Sequence, residues 1–400
     1  MKSKFIFYLF CLMLFLLPLS AGGFEFEIGV VTFHPYTFMV VAMLPLALWR
    51  TMWHPAKFGF RAQDAIILLL AASYFSSTLL ADDVMQSGRL AFHSLFIPIV
   101  TYGICKALIS SEKEYQIAIR ILLGSITLFA MMTIYEFLKT SVRPFVLDIP
   151  PIGVATLLIV PVIHAGYVKE YRRGWRFIQI IVTGTALVCT MSRIYLLGVI
   201  VSPILRRLLR TWVVWVWGVM LAGTLLLTLF ATYLMRVDYS SLRTTEGQDT
   251  IERIYEFSHI ERALSGRILV YRDALKKFEK KLVFGTGLEA GEYQITTHNF
   301  HIEWLQYGGL IGYLLYVSVF MAHATAIRTQ VKNDPHLLTN NLLLLLIMLN
   351  SVTNGFMHGI MPYVAYLLMG LSEARVNILG RKKTEGENKA TKLQVLFGKS

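Results

Sequence analysis

Arg193 stands in the run Thr190-Met191-Ser192-Arg193-Ile194-Tyr195, a guanidinium set between two apolar stretches. A charge at the edge of hydrocarbon is costly and tends to mark function. Either the side chain snorkels to lipid headgroups as an anchor, or its planar fork holds a phosphate through paired hydrogen bonds. The second centre is His298-Asn299-Phe300-His301. An imidazole titrates near neutrality, so His298 could take a proton from an alcohol; a loop histidine can equally be a solvated, hydrogen-bonded residue. His298 and His301, at i and i+3 with Glu303 near, offer a metal-binding alternative without any HExxH pattern. Glu25-Phe26-Glu27 could pair two carboxylates around a divalent cation, while its alternation suits a short amphipathic segment at an interface. Asp82-Asp83 reads only as a loop marker, and no Walker loop exists to drive transport with ATP.

The elements that must carry these residues follow from composition. Of 400 residues, 55% are apolar and 16% charged, against roughly 25% charged in a soluble domain, and the mean hydropathy is +0.56. These values exclude a water-soluble globular protein and predict a polytopic membrane protein, an all-α bundle. At about 20 apolar residues per crossing, twelve spans are expected, near 5–21, 34–49, 64–81, 89–108, 117–138, 149–167, 175–190, 194–210, 211–235, 306–327, 337–356 and 359–376. The formal charge of +13 is topological: 24 of the 38 lysines and arginines fall on one side of these spans, while short loops on the other carry only Arg89, Lys139, Arg143 and Arg193. By the positive-inside rule both termini are cytoplasmic, and a nucleic-acid partner is excluded. Cys11, Cys105 and Cys189 all lie in apolar runs and read as packing residues. The first segment could be a cleaved signal peptide, but Leu19 suits cleavage poorly and an uncleaved helix is expected.

The chain therefore divides into an N-terminal membrane bundle (1–235), a long outer loop (236–302), C-terminal membrane helices (303–376) and a basic cytoplasmic tail (377–400), expected to be disordered from Arg381. In the loop, Leu264, Ile268, Tyr271, Leu275, Phe278 and Leu282 recur at helical spacing. They predict an amphipathic helix resting on the membrane or the bundle, stopped by Gly285 and Gly287. Gly308, Gly309 and Gly312 in the next span would allow close helix contact.

Ser192-Arg193, Ser265-Gly266-Arg267, Phe284-Gly285-Thr286-Gly287, His298-Asn299 and Gly309-Leu310-Ile311-Gly312, in this order and on the outer face, resemble the O-antigen ligase and polymerase family of bacterial envelope enzymes. The resemblance is strongest over 185–325 and agrees in topology over the whole chain. Three positions depart from the family pattern: Ile194-Tyr195 follow the Ser-Arg pair where small residues are common, Tyr307 replaces an acidic residue, and His301 replaces an aromatic.

The resemblance implies an integral-membrane glycosyltransferase of GT-C-like architecture in the bacterial inner membrane, acting at the periplasmic face without metal or cofactor. The donor would be an undecaprenyl diphosphate-linked glycan. The acceptor would be a lipid A core oligosaccharide for a ligase, or a second lipid-linked glycan for a polymerase; ligase is the reading preferred. Arg193 and Arg267 match the arginines assigned to the diphosphate, and His298 matches the essential histidine. Asn299, Arg272 and His301 complete the candidate substrate-binding set. A diphosphate leaving group needs fixed cations, which the two arginines would supply. His298 would deprotonate the acceptor hydroxyl as it attacks the anomeric carbon with inversion. A flippase or transporter would instead place ionisable residues and broken helices near the midplane.

Overall fold

The structure is a computed structural model that describes residues 2–19, 26–28, 31–53, 58–147, 149–236, 267–287, 299–354 and 359–397. It is helical but for one antiparallel hairpin, Phe26–Ile28 with Val31–Phe33, in which Phe26 faces Phe33 and their rings stack. The alternation around Phe26 thus forms a strand, and Glu25 lies outside the described residues.

The helices are α1 (Lys2–Phe15), α2 (Pro35–Trp53), α3 (Ala62–Leu79), α4 (Val84–Ala91), α5 (Ile97–Leu108), α6 (Glu112–Thr140), α7 (Pro151–Tyr167), α8 (Arg173–Cys189), α9 (Arg193–Arg236), α10 (Arg267–Lys280), α11 (Phe300–Ile327), α12 (Pro335–Asn354) and α13 (Met361–Phe397). Their starts are written locally. Ser111 and Glu114 form a reciprocal capping box at α6. Prolines open α2, α7 and α12, where a missing N–H costs nothing. A π-helical turn, Phe92–Phe96, joins α4 to α5; it holds Ser94, whose carbonyl the ring of Pro98 would crowd in a regular helix.

Among the described residues six helical stretches are long and apolar enough to cross a membrane: Ala62–Leu79, Val84–Leu108, Glu112–Thr140, Arg193–Leu229, Phe300–Ile327 and Pro335–Val352. Lys4–Phe15 and Pro151–Tyr167 are shorter apolar helices. Large apolar side chains such as Phe75, Leu138, Ile200 and Leu226 remain exposed on the bundle surface, as expected where hydrocarbon rather than water is the neighbour.

α9 holds the two expected spans 194–210 and 211–235, and its contacts show that the chain reverses at Trp212 (φ −128°, ψ 36°). In the first leg Tyr195 bonds Thr156 and Ser202 bonds Tyr167, so this leg runs parallel to α7. In the second, Trp217 stacks on Phe320 and Thr224 bonds His301, so it runs antiparallel to α11. Arg193 and Thr228 therefore share one end of the bundle, the Arg193 end. Arg210, whose Nε donates to the Lys332 carbonyl, lies at the other, the Lys332 end.

The Lys332 end is tied by charge. Lys106 on α5 reaches Asp64 of α3 at 2.5 Å and Glu373 of α13 at 4.0 Å, and Arg61 meets Glu373 at 3.3 Å. Two corrections concern the C-terminal half. The tail expected to be disordered from Arg381 continues α13 to Phe397, because Glu, Lys, Ala, Gln and Leu dominate it and no proline interrupts. α11 begins at Phe300 rather than near 306, because Asn299 caps it.

Candidate functional site

The Arg193 end gathers the described parts of the sequence-predicted site. α9 starts from a tight turn. Met191 adopts φ +53°, and Ser192, 3% exposed, accepts the first helical bond from Leu196. Arg193, the first helical residue, is exposed, and among the described residues its guanidinium has no hydrogen bond or ion pair. Arg143, from the segment after α6, donates its Nε to the Thr190 carbonyl at 2.9 Å. Two guanidinium groups thus flank the N-terminus of an apolar helix, whose unpaired N–H groups and dipole favour an anion. Sequence reasoning counted Arg143 only as a loop charge. Its rarity among short-loop cations on that side was the available signal.

Asn299 is the second fixed point. Its side-chain oxygen accepts from His301 N and Ile302 N, and its Nδ2 donates to Thr228 Oγ1 at 3.0 Å. The cap therefore sets the start of α11 and joins it to the second leg of α9. His301 lies fully buried: Nε2 is 2.9 Å from Thr224 Oγ1 and Nδ1 3.0 Å from the Tyr313 hydroxyl. With both ring nitrogens engaged, a substrate or metal contact at His301 would have to displace one of these partners. His298, the expected base, lies outside the described residues, as do 237–266 of the long loop.

Arg267 is the first residue of α10 and Arg272 lies in its second turn. Ala274 of α10 packs against Ile302 of α11, so the loop helix rests on the element that follows His298. Of the expected helical stripe, Ile268, Tyr271, Leu275 and Phe278 fall within α10, which ends at Lys280, short of Leu282 and of the glycines expected to stop it; Leu282 is exposed, and Leu264 lies outside the described residues.

Glycines lock this arrangement. Gly309 has φ +62° and ψ −165° and breaks α11, so the groove expected for close helix contact is here a gap in the helical ladder. Residues 282–287 fill it. Leu310 N and Ile311 N donate to the carbonyls of Leu282 and Val283, and Thr286 N and Gly287 N donate to those of Gln306 and Tyr307, at 2.8 to 3.2 Å. The broken helix recovers hydrogen bonds from a segment 20 to 28 positions upstream. A Cβ on Gly285 would lie 2.4 Å from Gly309 N, and one on Gly309 would lie 2.4 Å from Val283 O. Gly308 does make the close helix contact expected, against the Tyr74 ring of α3. Ser77 donates to the Phe284 carbonyl, and Lys281 Nζ reaches Leu80 O at 2.8 Å and Asp82 Oδ1 at 2.9 Å. The lysine beside Asp82 holds that carboxyl below its ordinary value through a hydrogen bond and its charge.

Among the described residues, no hydrogen bond joins Arg193 to Asn299 or to α10; what they share is one end of the bundle. Cys11, Cys105 and Cys189 are buried and unpaired. Neither a protein-family model nor a curated protein sequence matches the chain. Fold and composition define its class, a multi-pass helical membrane protein.

Proposed function

We propose that the chain is an integral-membrane glycosyltransferase of the O-antigen ligase kind, moving a glycan from undecaprenyl diphosphate to a sugar hydroxyl of the lipid A core. α1, α2, α3, α4 with α5, α6, α7, α8, the two legs of α9, α11, α12 and α13 make twelve passes in this reading. The Lys332 end, rich in lysine and arginine, is cytoplasmic and the Arg193 end periplasmic.

The observation that carries the reading is the start of α9, where an exposed arginine and a second arginine flank a helix N-terminus. Such a site suits a lipid-linked diphosphate held at the membrane face. Arg193 and Arg267 would balance the charge that develops on the diphosphate as the anomeric C–O bond breaks. His298 would remove the acceptor proton as the new C–O bond forms on the opposite face, giving inversion. Asn299, which caps the start of α11, would position that histidine in this reading. Arg272 would contribute to headgroup binding from α10, and the polyprenyl chain would lie along the apolar helix faces.

The test is complementation of a bacterial strain lacking its own ligase, scored as glycan attached to lipid A. The intact chain should restore attachment, while Arg193→Ala and His298→Ala should abolish it at unchanged membrane abundance. Full attachment by either variant would contradict the mechanism.

A further inference from the structure

At the Lys332 end, opposite the site above, Arg206, Arg207 and Arg210 close the first leg of α9, and Arg328 and Lys332 follow α11. Two of these guanidinium groups are held by different neighbours. Arg206 Cζ lies 4.7 Å above the Tyr167 ring of α7, a cation–π contact, and the Tyr167 hydroxyl is itself bonded to Ser202. Arg210, one turn further, donates its Nε to the Lys332 carbonyl at 3.0 Å. So anchored, Arg210 repels the charge on Arg206, whose Nε is buried without a hydrogen-bond partner.

No carboxylate answers this charge. Among the described residues Arg206, Arg207, Arg210, Arg328 and Lys332 form no ion pair, whereas Arg61, Lys106, Arg375 and Lys382 at the same end all meet Asp or Glu. Asp334, two positions after Lys332, is taken by Arg375 at 2.8 Å and by the first N–H groups of α12. The positive-inside rule accounts for the sign of the patch, but not for two guanidinium groups anchored within repulsive reach of each other. A bound anion would relieve that repulsion. The surroundings place the patch at a membrane surface: Ile204, Leu208, Trp212 and Trp215 are exposed, and exposed tryptophans at a helix end favour headgroup depth.

We propose that this patch binds the headgroup phosphate of an anionic phospholipid in the leaflet at this end. Guanidinium and ammonium groups suit phosphate oxygens, and basic clusters between helices are a known form of lipid recognition. Ile204 and Leu208, on either side of Arg207 in α9, offer apolar contact to the acyl chains. The proposal stands apart from the glycosyltransferase reading, since it uses none of the residues at the Arg193 end.

The test incubates the full-length protein in mild detergent with phosphatidylglycerol or phosphatidylcholine, counts retained lipid by native mass spectrometry and follows the melting temperature. Phosphatidylglycerol should be retained in preference to phosphatidylcholine and should raise the melting temperature, as a ligand of the folded state does. Arg206→Gln with Arg210→Gln should lower phosphatidylglycerol retention about tenfold or more. That pair also gives up the Tyr167 and Lys332 contacts, so Arg207→Gln with Arg328→Gln guards against misfolding. Neither of those side chains has a described hydrogen bond or ion pair to lose; the lipid-free melting temperature should stay unchanged while retention falls about fivefold or more. Lys4→Gln with Lys113→Gln, an equal charge loss on α1 and α6, should leave retention unchanged. Equal retention of both lipids, undiminished retention by either arginine pair, or an equal loss from the lysine pair would overturn the proposal. So would glycerol phosphate raising the melting temperature as much as phosphatidylglycerol does, since the occupant would then be a soluble anion.

Discussion

Arg193 could be singled out in the sequence because a lone charge between apolar runs is conspicuous. Its surroundings could not, since the approach of Arg143 to the Thr190 carbonyl depends on how α6 and α8 end beside each other. If a forked guanidinium on the diphosphate is what matters, Arg193→Ala should lower kcat/KM by about a hundredfold and Arg193→Lys by about tenfold or more, since lysine offers a point charge. Steady-state transfer kinetics would check this, and a fully active lysine variant would reduce Arg193 to a simple cation. His301 illustrates the reverse: its motif position suggested substrate contact, whereas the fold engages both ring nitrogens with Thr224 and Tyr313. His301→Ala would take its partner from the Tyr313 hydroxyl, while Thr224 would keep its bond to the Met220 carbonyl, and should cost on the order of 1–2 kcal/mol, seen as a lowered melting temperature in detergent. An unchanged melting temperature would show that these bonds carry no stability.

At the scale of elements, the amphipathic loop helix was legible from its spacing, and so was a role for the glycines. That Gly309 breaks α11 was not, because the apolar run from 306 to 327 looks uninterrupted and the missing hydrogen bonds are supplied by residues 282–287. A helix break of this kind is stable only when a distant segment repairs it. Gly285→Ala should therefore cost about 2 kcal/mol or more, because the added methyl meets backbone and the residue sits at positive φ. Gly124→Ala, where nothing lies within 4 Å, should be neutral or slightly stabilising. Parallel unfolding curves test the pair, and equal midpoints would mean that the 282–287 segment is not held against α11 as described. The tail was misjudged for a different reason. Its charge suggested disorder, while its helix-forming residues extend α13 to Phe397.

For the whole molecule, hydropathy and charge distribution made the class readable, and the contacts order the helices between two ends. The sequence could not show that Asp64, Lys106 and Glu373 meet, because they come from three separate helices and each looks like an isolated charge. The sidedness makes a direct prediction. The native cysteines are buried, so a membrane-impermeant thiol reagent admitted only to the periplasm should label Arg143→Cys or Lys281→Cys and spare Arg172→Cys or Lys332→Cys; the opposite pattern would invert the orientation. The central claim is transfer itself, and its most direct measurement uses the purified protein with an undecaprenyl diphosphate-linked glycan, lipid A core as acceptor and EDTA present, the products being resolved by gel. The account predicts glycan on the lipid A core from the intact protein and about a hundredfold less from Arg193→Ala over the same time. A ladder growing on the lipid carrier, when a second lipid-linked glycan is supplied, would assign the same chemistry to a polymerase. No transfer to either acceptor by a folded sample would contradict the account.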